Sequence, residues 1–272
     1  MKIATILNAH GNTELVSDTV DAIRTWVSKD VLMVVDDVAW KSWGETVALP
    51  VYKLQGFLHD FDHAPYRNLT LGLKAISDLW PDCDWYCYCE YDVLFTSSAF
   101  KDDLAKAKKD NIWCLGSNFK EGDMKFELLE KIIKEKIDSS QYLLGCCVFY
   151  SGEFIKKLKQ IDFFNRFLAY TNDFSEGFFP FYEIQGGYDF GEHLYPTLAK
   201  HYGGGIKEFS YWHQNFAHWN GDFKKYPLRW KPELTWEDNF KEASIMHPVK
   251  AYDAIRWFHR VNRNRKLKHG QL

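Results

Sequence analysis

Glu90 and Asp92 stand two residues apart near the end of an apolar, aromatic run, Trp85-Tyr86-Cys87-Tyr88-Cys89-Glu90-Tyr91-Asp92-Val93-Leu94-Phe95. The length and composition of this run predict a buried strand. Side chains alternate across a strand, so both carboxylates are expected on one side, with Tyr91 turned away. Two like charges at a low-dielectric strand end are costly unless a cation balances them, and the chemistry they suggest is metal binding. The plainer alternative is an acidic pair marking where a strand meets solvent. A second group is Gln185-Gly186-Gly187-Tyr188-Asp189-Phe190-Gly191-Glu192-His193, with three titratable side chains on a glycine-rich approach to a helix. Carboxylates held there can act as general bases, or Asp189 or Glu192 can simply cap the helix. His247, next to Pro248, reads on its own as a structural histidine. His59, Asp60, Asp62 and His63 cluster in one loop but lack a metal-ligand spacing of a known type, so the loop reads as a rim.

These groups depend on the elements around them. Lys2 to Leu7 reads as a buried strand, Asn8-Ala9-His10-Gly11-Asn12 as a turn, and Glu14 to Ser28 as an amphipathic helix. Val31 to Val35 is a second buried strand, stopped by Asp36-Asp37. Strand, helix and strand at this spacing imply a parallel pair with a right-handed crossover, and ligands of such sheets gather at the carboxyl ends of the strands. Asn8, Asp36 and Asp37 are therefore nucleotide-binding candidates, although the same residues serve ordinary turns. Val51 to Leu54 is a weaker strand. Tyr66 to Leu79 reads as a helix, with Arg67 in its first turn, either reaching a diphosphate or lying on the surface.

The alternation continues with a helix at 99–109, a strand at Ile112–Gly116, a solvated surface helix at 124–136, an apolar strand from Tyr142 to Tyr150 interrupted by Gly145, and a helix at 153–159. From Phe163 to Phe181 aromatics crowd without clear period. Gly203-Gly204-Gly205 is expected to separate this core from an aromatic C-terminal section. The tail from Arg256 to His269 holds six Lys or Arg and no acid, which suits an anionic membrane surface or a solvated basic end.

At 272 residues the chain can bury a substantial core. Aromatics make up 17%, enough both to fill that core and to wall a sugar or base site. A net charge of −3 argues against a general nucleic-acid binder. The first apolar run reaches Asn8 too soon for a signal peptide and no later run spans a bilayer, so a cytoplasmic protein is expected, with membrane association through the tail. The six cysteines lie mostly in apolar segments and are expected as reduced core thiols.

The order of these signals resembles a GT-A fold glycosyltransferase, the nucleotide-sugar-dependent class, over residues 1 to 250. Glu90-Tyr91-Asp92 is similar to the Asp-x-Asp motif of that family, with Glu in the first place. The resemblance implies an α/β fold with a mixed, mostly parallel sheet flanked by helices. It implies one catalytic domain at 1–250, with a donor-binding half at about 1–116 and an acceptor-binding half at about 117–250, before the basic tail at 251–272. It also implies that Asp92 binds a Mn2+ or Mg2+ bridging the donor diphosphate, that Glu90 contacts the ribose or a metal-bound water, and that His247 completes the metal site. Asp36 or Asp37 then matches the acid that reads the nucleoside, and Arg67 the basic residue near base or phosphates. Gly191-Glu192-His193 resembles the Gly-Glu-Asp of inverting members, with His193 in place of the usual base; Glu192 ranks first as base, then Asp189, then His193. The implied activity is sugar transfer from a nucleotide-diphosphate sugar to a hydroxyl of a glycan or glycolipid, favoured as inverting. Two alternatives stand beside it: a sugar-phosphate nucleotidyltransferase, although Asn8 to Asn12 lacks the basic residues a triphosphate loop needs, and a non-catalytic carbohydrate-binding protein.

Overall fold

Strands that must satisfy two cores cannot alternate polar with apolar residues, and the unbroken apolar runs of this chain become strands of that kind. The computed structural model describes residues 1–9, 13–35, 51–53, 65–122, 126–172, 189–210, 244–249 and 254–270. The elements are β1 (Ile3–Asn8), α1 (Thr13–Trp26), β2 (Asp30–Val35), β3 (Val51–Lys53), α2 (Pro65–Leu79), β4 (Trp85–Glu90), β5 (Leu94–Phe95), α3 (Lys101–Lys109), β6 (Ile112–Gly116) and β7 (Lys120–Gly122). They continue with α4 (Glu127–Ile133), β8 (Ser140–Tyr142), β9 (Cys147–Ser151), α5 (Gly152–Gln160), α6 (Phe163–Asn172), α7 (Asp189–His201), β10 (Gly205–Glu208), β11 (Ile245–Met246) and α8 (Ala254–Lys268).

Seven strands form one sheet in the order β10-β6-β9-β4-β1-β2-β3. Every neighbouring pair is parallel except those of β9, which runs antiparallel to both β4 and β6. The expected mixed, mostly parallel α/β sheet flanked by helices is thus the observed one. Strands β9 and β10, from the 117–250 stretch, share this sheet with β1 to β4.

Successive side chains feed opposite faces. Leu7, Met33, Cys87 and Cys89 join one apolar cluster, together with Val16, Val20 and Ile23 of α1 and Leu104 of α3. Ile6, Leu32, Val34, Tyr86 and Tyr88 join the other, with Leu69, Leu73 and Ile76 of α2 and further residues of α4, α5, α6 and α7. Each such Leu or Ile contributes ~1.5–3 kcal/mol on full burial. Gly72 lets α2 lie close on β1: a Cβ there would stand 2.8 Å from Ile6 Cγ2.

The structure departs from the sequence expectations at five places. The run Trp85 to Phe95 is not one strand: β4 stops at Glu90, the Val93 N–H donates to the Glu90 carbonyl at 3.2 Å to close a turn, and β5 leaves the main sheet to pair with β11. The apolar run from Tyr142 to Tyr150 is split between β8 and β9. The aromatic stretch after Phe163 begins with a helix, α6, because Phe163, Phe164 and Phe167 all reach the second core. The helix within 124–136 is not a solvated element, since Phe126, Leu129, Ile132 and Ile133 are buried. Gly203 to Gly205 does not end the core; β10 begins at Gly205 and extends the sheet beside β6.

A candidate metal and donor site at the end of β4

Parallel strands β1 and β4 end together, with Asn8 in register opposite Glu90. Asn8 is buried, and its amide donates to the Tyr88 hydroxyl at 3.1 Å, which fixes it at the sheet edge beside the acidic pair. Asp92 lies two residues on, in the turn, and its side chain is buried. A buried carboxylate needs a countercharge, and the chain supplies one from far along the sequence. Strand β11 pairs antiparallel with β5, Phe95 opposite Ile245 and Leu94 opposite Met246. The Thr96 N–H donates to the Ser244 carbonyl and the Val249 N–H to the Asp92 carbonyl, so the 244–249 segment is hydrogen-bonded to 92–96 on both sides of His247.

That pairing carries His247 onto the acids. Its Nε2 stands 3.2 Å from Glu90 Oε2 and 3.1 Å from Asp92 Oδ1. Cys146 joins them: one ligand atom each of Glu90, Cys146 and His247 lies within 4.8 Å of the others. The imidazole is buried, and burial works against its charged form; its neighbours, the Asp92 carboxylate among them, outweigh that and hold the His247 pKa well above the usual histidine range. Burial pushes the Cys146 thiol up to about 12. Glu90 keeps a partly exposed side chain, 35%, and so gives the cluster its opening to solvent. Without an ion this is a histidinium paired to two carboxylates. Glu90, Cys146 and His247 also fit a divalent cation, because their ligand atoms lie within 4.8 Å of one another; Asp92 meets His247 but falls outside that group.

No protein-family model and no curated protein matches the chain. Among solved structures it is similar to a glycosyltransferase involved in the glycosylation of the major capsid of PBCV-1, at 11% identity and a TM-score of 0.44, over 97% of this chain and 100% of that one. It is also similar to residues 1–349 of S. aureus TarS, at 12% identity and a TM-score of 0.36, over 58% of this chain and 49% of that chain. At these scores neither likeness bears on function, which is read from the side chains.

Glu192 reaches the same end of the sheet. From α7 its Oε1 accepts the Gly145 N–H at 2.8 Å, and Gly145 leaves room for it, since a Cβ there would meet Glu192 Cγ at 3.2 Å. His193, one residue on, is turned elsewhere. It is buried against the rings of Phe126, at 6.0 Å, and Tyr142, at 5.1 Å. Asp189 opens α7, and its side chain lies outside the described residues, as do Asp36 and Asp37 beyond the end of β2. Arg67 is not a surface residue: it is buried, and its Nη1 donates to the Leu168 carbonyl at 3.3 Å, which ties α2 to α6.

Two contributors were missed in the sequence. Cys146 looks like any cysteine of an apolar strand until β9 pairs with β4. Arg256 reads in the sequence as part of a basic tail, yet its guanidinium is buried, donating to Asp18 Oδ2 at 2.8 Å, to Thr19 Oγ1 at 3.1 Å and to the carbonyls of Val93 and Val249. Thr19 in turn donates to the Tyr91 carbonyl at 2.6 Å. The turn bearing Asp92 and the segment bearing His247 thus share one buried arginine.

Proposed function

We propose that the protein is a metal-dependent glycosyltransferase that moves a sugar, with inversion, from a nucleotide-diphosphate sugar to a hydroxyl of a glycan or glycolipid. The observation that carries this reading is the convergence of Glu90, Asp92 and His247 at the carboxyl end of β4, beside Asn8, in a mostly parallel α/β sheet. Ligands of such sheets bind at that end, and the Glu-x-Asp sequence resembles the family's Asp-x-Asp. Glu90, Asp92 and His247 would hold Mn2+ or Mg2+. Bound there, the cation supplies neutralisation of the charge that builds on the departing nucleoside diphosphate.

The rest of the site belongs to the chain's own groups. Asn8, Asp36 or Asp37 and Arg67 are the proposed donor contacts. Glu192 is the proposed general base for the acceptor hydroxyl, held at the sheet end by the Gly145 N–H. His193 is left out of the proposed chemistry, since its ring lies against those of Phe126 and Tyr142.

The test is donor binding by thermal shift and calorimetry, using nucleoside diphosphates and nucleotide sugars with and without Mn2+. A ligand at 100 times its Kd is expected to add ~2.7 kcal/mol to stability. The gain should require the cation and be lost in Asp92→Asn. If Asp92→Asn keeps metal-stimulated donor binding and full transfer, the reading fails.

A further inference from the structure

Cys146 immediately precedes β9, and the antiparallel ladder brings it opposite Glu90. Cys89 is in register with Cys147, and the Glu90 N–H donates to the Cys146 carbonyl at 3.0 Å. Residues opposite one another in a ladder present their side chains to the same face. The thiol and the Glu90 carboxylate therefore share one side of the sheet end, with His247 closing over both. Glu90, Cys146 and His247 form the one group of three potential ligands found among the described residues. The other five cysteines are free and buried, without belonging to such a group.

We propose that Cys146 is itself a ligand of the divalent ion, so that the site presents sulfur, imidazole and carboxylate donors and favours thiophilic ions, Zn2+ and Co2+, over Mn2+ and Mg2+. This rests on the reading of Glu90 and His247 as a metal site and puts a thiophilic ion there in place of the Mn2+ or Mg2+ proposed above. Hard Mg2+ takes oxygen ligands and keeps much of its water, whereas a thiolate is soft and forms its strongest bonds here with Zn2+ and its neighbours in the series. The step is an exchange of one bond for another: the S–H proton leaves to solvent, its electron pair stays on sulfur, and the sulfur–metal bond forms without any change of oxidation state. Coordination places a single negative charge on Cys146 and offsets it with the ion. Burial, which disfavours a bare thiolate, then no longer opposes the charge.

Cobalt titration of the chelator-treated full chain tests this without any activity assay. Thiolate-ligated Co2+ gives an intense near-ultraviolet charge-transfer band that oxygen and nitrogen ligands do not. The expected result is that band at one equivalent, displaced by Zn2+ at equimolar concentration and untouched by a large excess of Mg2+. Cys146→Ser should abolish the band while calorimetry still detects weaker Co2+ binding, by ~10-fold or more, and Cys146→Ala checks that serine has not become a new ligand. Co2+ binding without the band in the unaltered chain overturns the assignment of Cys146 but leaves the metal site standing. A band that survives in Cys146→Ser overturns it too, by placing the sulfur elsewhere. If neither Co2+ nor Mn2+ binds, the metal-site reading fails along with it.

Discussion

His247 shows how a residue with no signal of its own acquires a role. Its imidazole lies within 3.2 Å of two carboxylates because a short antiparallel pairing holds the chain on either side of it. Glu192 and His193 make the converse case: they are adjacent in sequence, yet α7 turns each residue ~100° from the last, so they face different surroundings. Glu192 meets the Gly145 N–H, and His193 meets two aromatic rings. Glu192→Gln keeps an oxygen for Gly145 and should preserve the fold and metal affinity while lowering kcat by ~10²–10⁴, the usual contribution of a general base. His193→Phe should keep turnover near that of the unaltered chain. Steady-state kinetics with cobalt titration of both variants checks the pair, and a Glu192→Gln enzyme at full rate would remove Glu192 from the chemistry.

At the scale of elements, α8 is not a loose tail. Arg256 and Arg263 are both buried and both pair with Asp18 of α1, at 2.8 and 2.6 Å. Arg256 also reaches the carbonyls of Val93 and Val249, so the docking of α8 supports the two segments that bring Asp92 and His247 together. Asp18→Asn leaves two buried guanidiniums without their carboxylate and should cost ~3–5 kcal/mol, read as a lower denaturant midpoint. Metal affinity should fall with it, because the turn after β4 loses its anchor. A midpoint unchanged from the unaltered chain would show that the buried cluster is not needed to hold α8. Elements with strong local periodicity, such as α2 and β6, were legible from sequence almost to the residue. α6 was not, because the aromatics that run on to Phe181 obscure the helical spacing of buried Phe163, Phe164 and Phe167 against exposed Asn165 and Arg166, and the splitting of the Trp85–Phe95 run was not, because the turn at Tyr91-Asp92 contains neither Gly nor Pro.

Across the whole molecule, the burial of Arg256 and Arg263 changes what the basic C-terminus can offer a partner. The charges left outside are Arg265, Lys266 and Lys268, with Arg260 paired to Glu14, and beside them Trp257, Val261 and Leu267 are exposed. Basic residues flanking apolar side chains on the exposed face of α8 suit peripheral contact with an anionic membrane, at ~1 kcal/mol per basic residue near the surface. Among the described residues no helix is long and apolar enough to cross a membrane. Co-sedimentation with phosphatidylserine-containing vesicles should be salt-sensitive and should weaken in a Trp257→Glu, Lys268→Glu variant, which spares the buried arginines; equal binding to neutral vesicles would exclude the contact. By itself the sequence determined the alternation of strand and helix, the two-sided burial of β1, β2 and β4, and the placing of Asn8 and Glu90 at carboxyl strand ends, since each follows from local pattern and from rules of parallel sheets. Only the tertiary structure decided which groups face those acids. His247, Cys146 and Arg256 lie far from Glu90 along the chain, and what brings them near is strand pairing and helix docking, which no local periodicity records. An Arg of a basic tail and a Cys of an apolar run look alike in sequence whether they are bystanders or partners; burial beside a carboxylate is what tells them apart.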